Sequence, residues 1–177
     1  MKRSYYFKLR LRLQSAIPGV LTVVLLIIGA ANSQLPGIPE FIPSFTVMAI
    51  FFWVIYAPRF MPQGLSFLLG ILQDALNGAI LGQSAVINLI LWGVIYSQRR
   101  FLIKESFIVL YGIFAITSLF CSILAWLIFS LVSGQFLFAP SIVIQWLFTI
   151  GCYPLVHWIF SNIYLAMVKN FRYSGWR

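Results

Sequence analysis

Acidic residues are nearly absent from this chain, which has three Asp and Glu against 12 Lys and Arg in 177 residues. Intramembrane metal and phosphotransfer enzymes need several carboxylates, or a His/Asp/Glu cluster, to hold ions and activate water. Here only Asp74 lies inside an apolar stretch, and His157 is the sole histidine. Charge of either sign is scarce, at 8% of residues, where a soluble domain carries about 25%. Cysteine is limited to Cys121 and Cys152, with no CxxC and no Cys/His cluster. That pattern argues against a zinc site or a disulfide and leaves two small apolar fillers. No GxSxG sequence occurs either, so a nucleophile elbow is not expected. The residues predict no enzyme, no metal and no cofactor.

What is abundant is hydrophobic surface, at 62% of residues. Apolar stretches occupy Ala16–Ala31, Phe45–Ala57, Leu65–Leu81, Ala85–Tyr96, Phe107–Val132 and Ile142–Val168. Some approach the roughly 20 residues that cross a bilayer and others are shorter. The net charge of +9 could suggest nucleic acid, but the positions of the charges argue otherwise. Lys2, Arg3, Lys8, Arg10 and Arg12 precede the first stretch, and Arg59 follows the second. Arg99, Arg100 and Lys104 follow the fourth, and Lys169, Arg172 and Arg177 follow the sixth. The connections around 32–42, 78–84 and 133–141 hold no Lys or Arg. Basic residues in alternate loops fit the positive-inside rule for six spans with both ends cytoplasmic. The expected fold is an all-α integral membrane protein of six transmembrane helices. Residues 1–15 form a basic cytoplasmic tail, 16–168 the membrane domain and 169–177 a second basic tail.

The start, MKRSYYFKLRLRL, has the basic character of a signal-peptide n-region. Five further apolar spans follow it, so the first stretch is read as an uncleaved span. Its charges serve either docking to anionic lipid or simply orientation in the membrane. Span two, about Ser44 to Ala57, ends with Trp53 and Tyr56 beside Arg59, a pattern expected at a membrane interface. Span three, about Pro62 to Asn77, would be about 24 Å long, less than the roughly 30 Å hydrocarbon core. Its outer end is therefore expected in a cavity or against other helices. Span four should run from Ser84 to Tyr96 and stop at SQRR, and the last two spans over about Glu105–Val132 and Ser141–Val168.

Within spans three and four, Ser66, Gly70, Asp74, Gly78 and Gly82 follow one another at steps of four. On a helix that spacing forms one face of small side chains, along which a second helix can approach closely. Gly78 is placed to end the helix in the left-handed conformation. An unpaired carboxylate in hydrocarbon would cost roughly 2.5–3.5 kcal/mol, so Asp74 needs a partner or a proton. It sits near the C-terminal end of its own helix, where the dipole disfavours a negative charge. Gln73, Asn77 and Gln83 offer amides nearby. Asp74 is thus either a recognition or proton-linked site or a structural cap on the hairpin. His157 sits at a similar depth, about 15 Å from the cytoplasmic end of its span. It either pairs with Asp74 or, as the simpler reading, bonds to a neighbouring polar group.

The run FIPSFTVMAIFFWVIYAPRFMPQGLSFLLGILQDALNGAILGQSAVINLILWGVIY resembles the rod shape-determining protein MreD family. The resemblance rests on an aromatic and Trp-bearing span ending at Pro58, and on the run Gly70, Asp74, Gly78, Gly82. A weaker likeness lies in CYPLVHWIF leading to MVKNFR. The family carries no assignment onto His157. The resemblance implies a bacterial inner-membrane, multi-pass subunit of the cell-wall elongation machinery, with no chemistry of its own. It implies binding to MreC first, with MreB, RodA and a class B penicillin-binding transpeptidase in the wider complex. It also implies a fold like the six-helix substrate-binding subunit of ECF transporters. That likeness suggests an alternative, a small-solute-binding subunit whose outer side could use Asn32, Gln34, Glu40, Asn77, Gln83 and Gln135. The face of Ser66, Gly70, Asp74, Gly78, Gly82 and Gln83 is the candidate for partner binding or for packing within the chain.

Overall fold

The computed structural model describes residues 18–29, 43–134 and 140–174, and six helices lie among them. They are α1 (Pro18–Gly29), α2 (Phe45–Tyr56), α3 (Gln63–Asn77), α4 (Gln83–Leu102), α5 (Phe107–Ser133) and α6 (Pro140–Ser174). The basic tail before Pro18 and residues Asn32, Gln34, Glu40 and Gln135 fall outside the described residues. Two helices, α5 and α6, are long and apolar enough to cross a membrane, while α1 and α2 are shorter apolar helices. On α5 and α6 Ile116, Leu131, Leu155 and Trp158 are exposed. So broad an apolar exterior needs hydrocarbon or a protein partner to cover it.

The core is built around α2. All its residues from Thr46 to Ile55 are buried, so its sequence is hydrophobic all round rather than on one stripe. This corrects the expected interfacial role of Trp53, which is fully buried against Phe52 and Phe160. Helices α4 and α6 pack on α2, and α3 packs chiefly on α4. A chain of rings joins α2 to α5 and α6: Phe51 meets Phe114 edge-on at 5.2 Å, and Phe114 stacks on Tyr153 at 3.9 Å.

A short buried helix leaves backbone groups that water cannot satisfy, and its neighbours must supply partners. At the start of α2, the Ser44 N–H donates to Thr149 Oγ1 of α6 at 3.1 Å. At its end, Arg99 Nε of α4 donates to the Ile55 carbonyl at 2.7 Å. That bond accounts for a departure from the sequence reading. SQRR does not stop α4, which continues to Leu102. Basic residues are favourable in a last helical turn, and here one of them reaches back to cap a neighbour. Pro154 lies inside α6 and cannot donate to the Ile150 carbonyl four residues earlier. The Tyr111 hydroxyl of α5 donates to that carbonyl instead, at 3.4 Å.

Candidate functional site

The α3–α4 hairpin is shaped by two glycines. Gly78 ends α3 with φ 63°, and Gly82 precedes α4 with φ 96°, both in the left-handed region that other residues enter at a cost. The chain reverses between them, bringing the first turn of α4 back beside the last turn of α3. Asp74 is fully buried there. Its Oδ2 accepts from the Gly82 N–H at 2.8 Å, and the Ser84 N–H lies 3.1 Å from both carboxylate oxygens. The side chain thus caps α4 from outside, satisfying donors that a helix start leaves without partners. The negative charge meets the positive end of the α4 dipole. Its partners are backbone groups and not the amides of Gln73, Asn77 or Gln83.

The remaining small residues of the face divide by their surroundings. A Cβ on Gly70 would stand 2.3 Å from Ala85 Cα and 2.5 Å from Ala85 N, so α3 and α4 touch backbone to backbone there. Ser66 is fully buried, with its hydroxyl unpartnered. Cβ atoms on Gly78 and Gly82 would meet nothing, and these two serve the turn by conformation. Gln83 leaves the hairpin altogether, its Nε2 donating to the Ala125 carbonyl of α5 at 2.9 Å.

The structure does not bring His157 to Asp74. The imidazole lies in α6 against Phe52 and Phe107, with Nδ1 3.3 Å from the Tyr153 hydroxyl. Equal depth along two helices did not imply a shared side of the bundle.

Beside the hairpin lies a cavity of about 320 Å³. It is walled by the start of α2, the ends of α3 and α5, and the starts of α4 and α6. Ala79, Gln83 and Ser84 border it, but the expected enclosure of the whole outer end of span three does not hold, because Leu81 is 72% exposed. Asn88, Ser118, Ser122, Gln145 and Thr149 also line it, and none was singled out from sequence. A signal for them exists: Ser118 and Ser122 on α5, and Gln145 and Thr149 on α6, are polar pairs four residues apart in apolar helices. Asn88 stands alone in the run AVINLILW.

A family model described as rod shape-determining protein MreD matches residues 10–163. No curated protein and no solved structure matches the chain.

Proposed function

Since this chain belongs to the MreD family of membrane proteins of the bacterial rod-shape machinery, we propose that it is a non-enzymatic, multi-pass inner-membrane subunit of the cell-wall elongation complex. In this reading it binds the membrane anchor of MreC, with MreB, RodA and a class B penicillin-binding transpeptidase in the wider assembly. The family match carries the proposal. The alternate placement of basic residues supports six spans with both ends cytoplasmic. Six helices among the described residues agree with an ECF-like arrangement in number. The close approach at Gly70 supports use of the small-residue face within the chain. The partner's helix would then lie on the apolar exterior.

Depletion in the native host, scored by cell shape in rich and vitamin-supplemented media, tests this. Rounding or swelling in both media, with co-purification of the MreC-type partner, is expected. Normal shape with a growth defect cured by one supplement would replace the reading with that of a solute-binding transporter subunit.

A further inference from the structure

A cleft of about 340 Å³ lies at the end of α4, and among the described residues Arg99, Arg100, Ile103 and Lys104 line it. Basic residues near a span end serve orientation by their number alone, and those in a last helical turn can cap its carbonyls. Here the backbone already caps them. The Ile103, Lys104 and Glu105 N–H groups donate to the Arg99, Phe101 and Leu102 carbonyls at 3.1, 3.1 and 3.2 Å. Arg99 is half-buried, and its Nε is fixed on the Ile55 carbonyl at 2.7 Å. That bond does not use the two Nη groups, and it holds the guanidinium fork in place, which lowers the entropy cost of gripping an anion. Arg100 and Lys104 are exposed and stand four residues apart, one turn after the other.

Acid that could neutralise these cations is scarce over the whole chain, whose three acidic residues are Glu40, Asp74 and Glu105. Asp74 is taken by the Gly82 and Ser84 N–H groups. Glu40 lies in a connection that the charge pattern assigns to the opposite side of the membrane. The sequence before Pro18 and after Ser174 carries Lys and Arg but no Asp or Glu. Only Glu105 is left to set against three cations. The surrounding side chains are apolar, and Phe101, Ile103, Phe107 and Ile108 are exposed. A phosphate with hydrocarbon chains beside it satisfies both features, whereas a soluble anion would leave these side chains in water.

We propose that the end of α4 binds the headgroup phosphate of an anionic phospholipid, with the Arg99 and Arg100 guanidinium groups and the Lys104 ammonium on its oxygens and the acyl chains over Ile103 and its exposed apolar neighbours. Basic pockets on the cytoplasmic side of membrane helices suit such headgroups. The site goes beyond the scaffold role, and its failure would leave that role standing.

The test is photolabelling of the purified full chain in mixed micelles. The probe is phosphatidylglycerol with a diazirine at the top of one acyl chain, and the phosphatidylcholine analogue at equal concentration is the zwitterionic reference. Over residues 99–108, the anionic label should exceed the zwitterionic one by more than about fivefold, the worth of one cation at an anionic surface. Arg100→Gln and Lys104→Gln should each lower this local label about fivefold. Both change exposed side chains, so both variants should fold, and label on the basic N-terminal tail is an internal reference that should stay constant. Lys169→Gln removes an equal charge from α6, outside the cleft lining, and should leave the local label unchanged. Equal labelling by the two lipids, or an equal loss in Lys169→Gln, overturns the proposal. Carbodiimide coupling of hexaglutamate to Lys104, without local phosphatidylglycerol label, would overturn the lipid in favour of an acidic protein segment.

Discussion

Replacing Asp74 by alanine should destabilise the protein more than its single side chain suggests. The carboxylate accepts from two separate N–H groups, those of Gly82 and Ser84, in a fully buried position. Leaving a buried donor unsatisfied costs about 1–3 kcal/mol. Two such donors give about 2–6 kcal/mol, and removal of the charge from the α4 N-terminus acts in the same direction. Asp74→Asn keeps one acceptor oxygen but turns an NH2 group toward the same donors, so it should lose roughly half as much. Reversible unfolding in mixed micelles, titrated with a denaturing detergent, reads both variants. A loss below about 0.5 kcal/mol for Asp74→Ala, within the range of ordinary surface substitutions, would refute the capping account. Equal losses for the two variants would show that charge and not acceptor count governs the site.

Gly70→Ala drives a Cβ into the Ala85 backbone at 2.3 Å, so it should cost about 3 kcal/mol or more in the same assay. Gly112→Ala meets open space and should be neutral or stabilising by up to about 1 kcal/mol. Tyr111→Phe removes the donor to the carbonyl freed by Pro154 and should cost about 0.6 kcal/mol, the mean for transmembrane hydrogen bonds. Asp74→Asn and His157→Ala have no shared partner, so their unfolding free energies should add within about 0.5 kcal/mol. A larger coupling would restore the Asp74–His157 pair.

Helix number and most boundaries were legible because apolar stretches, Pro62 and Gly78 mark them directly. Of the small-residue ladder only Gly70 marks a close helix approach; Gly78 and Gly82 lie beyond the end of α3 and not on its face, and the spacing alone left open whether the second helix belonged to this chain or to a partner. The partner of Asp74 was not legible. Considered alone, α3 places an unfavourable charge at its own C-terminal end. The compensating N–H groups exist only once Gly82 has turned α4 onto the same carboxylate. Trp53 misled for a related reason. Its neighbourhood has the composition of an interface, but α2 is enclosed by α4 and α6, and enclosure is a tertiary property. The cavity was hidden because its wall is assembled from five helix segments, each contributing one to three polar residues.

Hairpin and cavity meet at Ser84. Its N–H is held by Asp74, while the residue itself and Gln83 border the cavity. The cap therefore positions one wall of the cavity. Phe160→Ala empties a buried position in the aromatic cluster against Trp53, and should cost about 3–5 kcal/mol. Phe160 does not line the cavity and shares no partner with Asp74, so the unfolding free energies of Phe160→Ala and Asp74→Ala should add within about 0.5 kcal/mol. A larger coupling would mean that the hairpin cap and the aromatic cluster are held by one network, and Asp74 would then do more than cap α4.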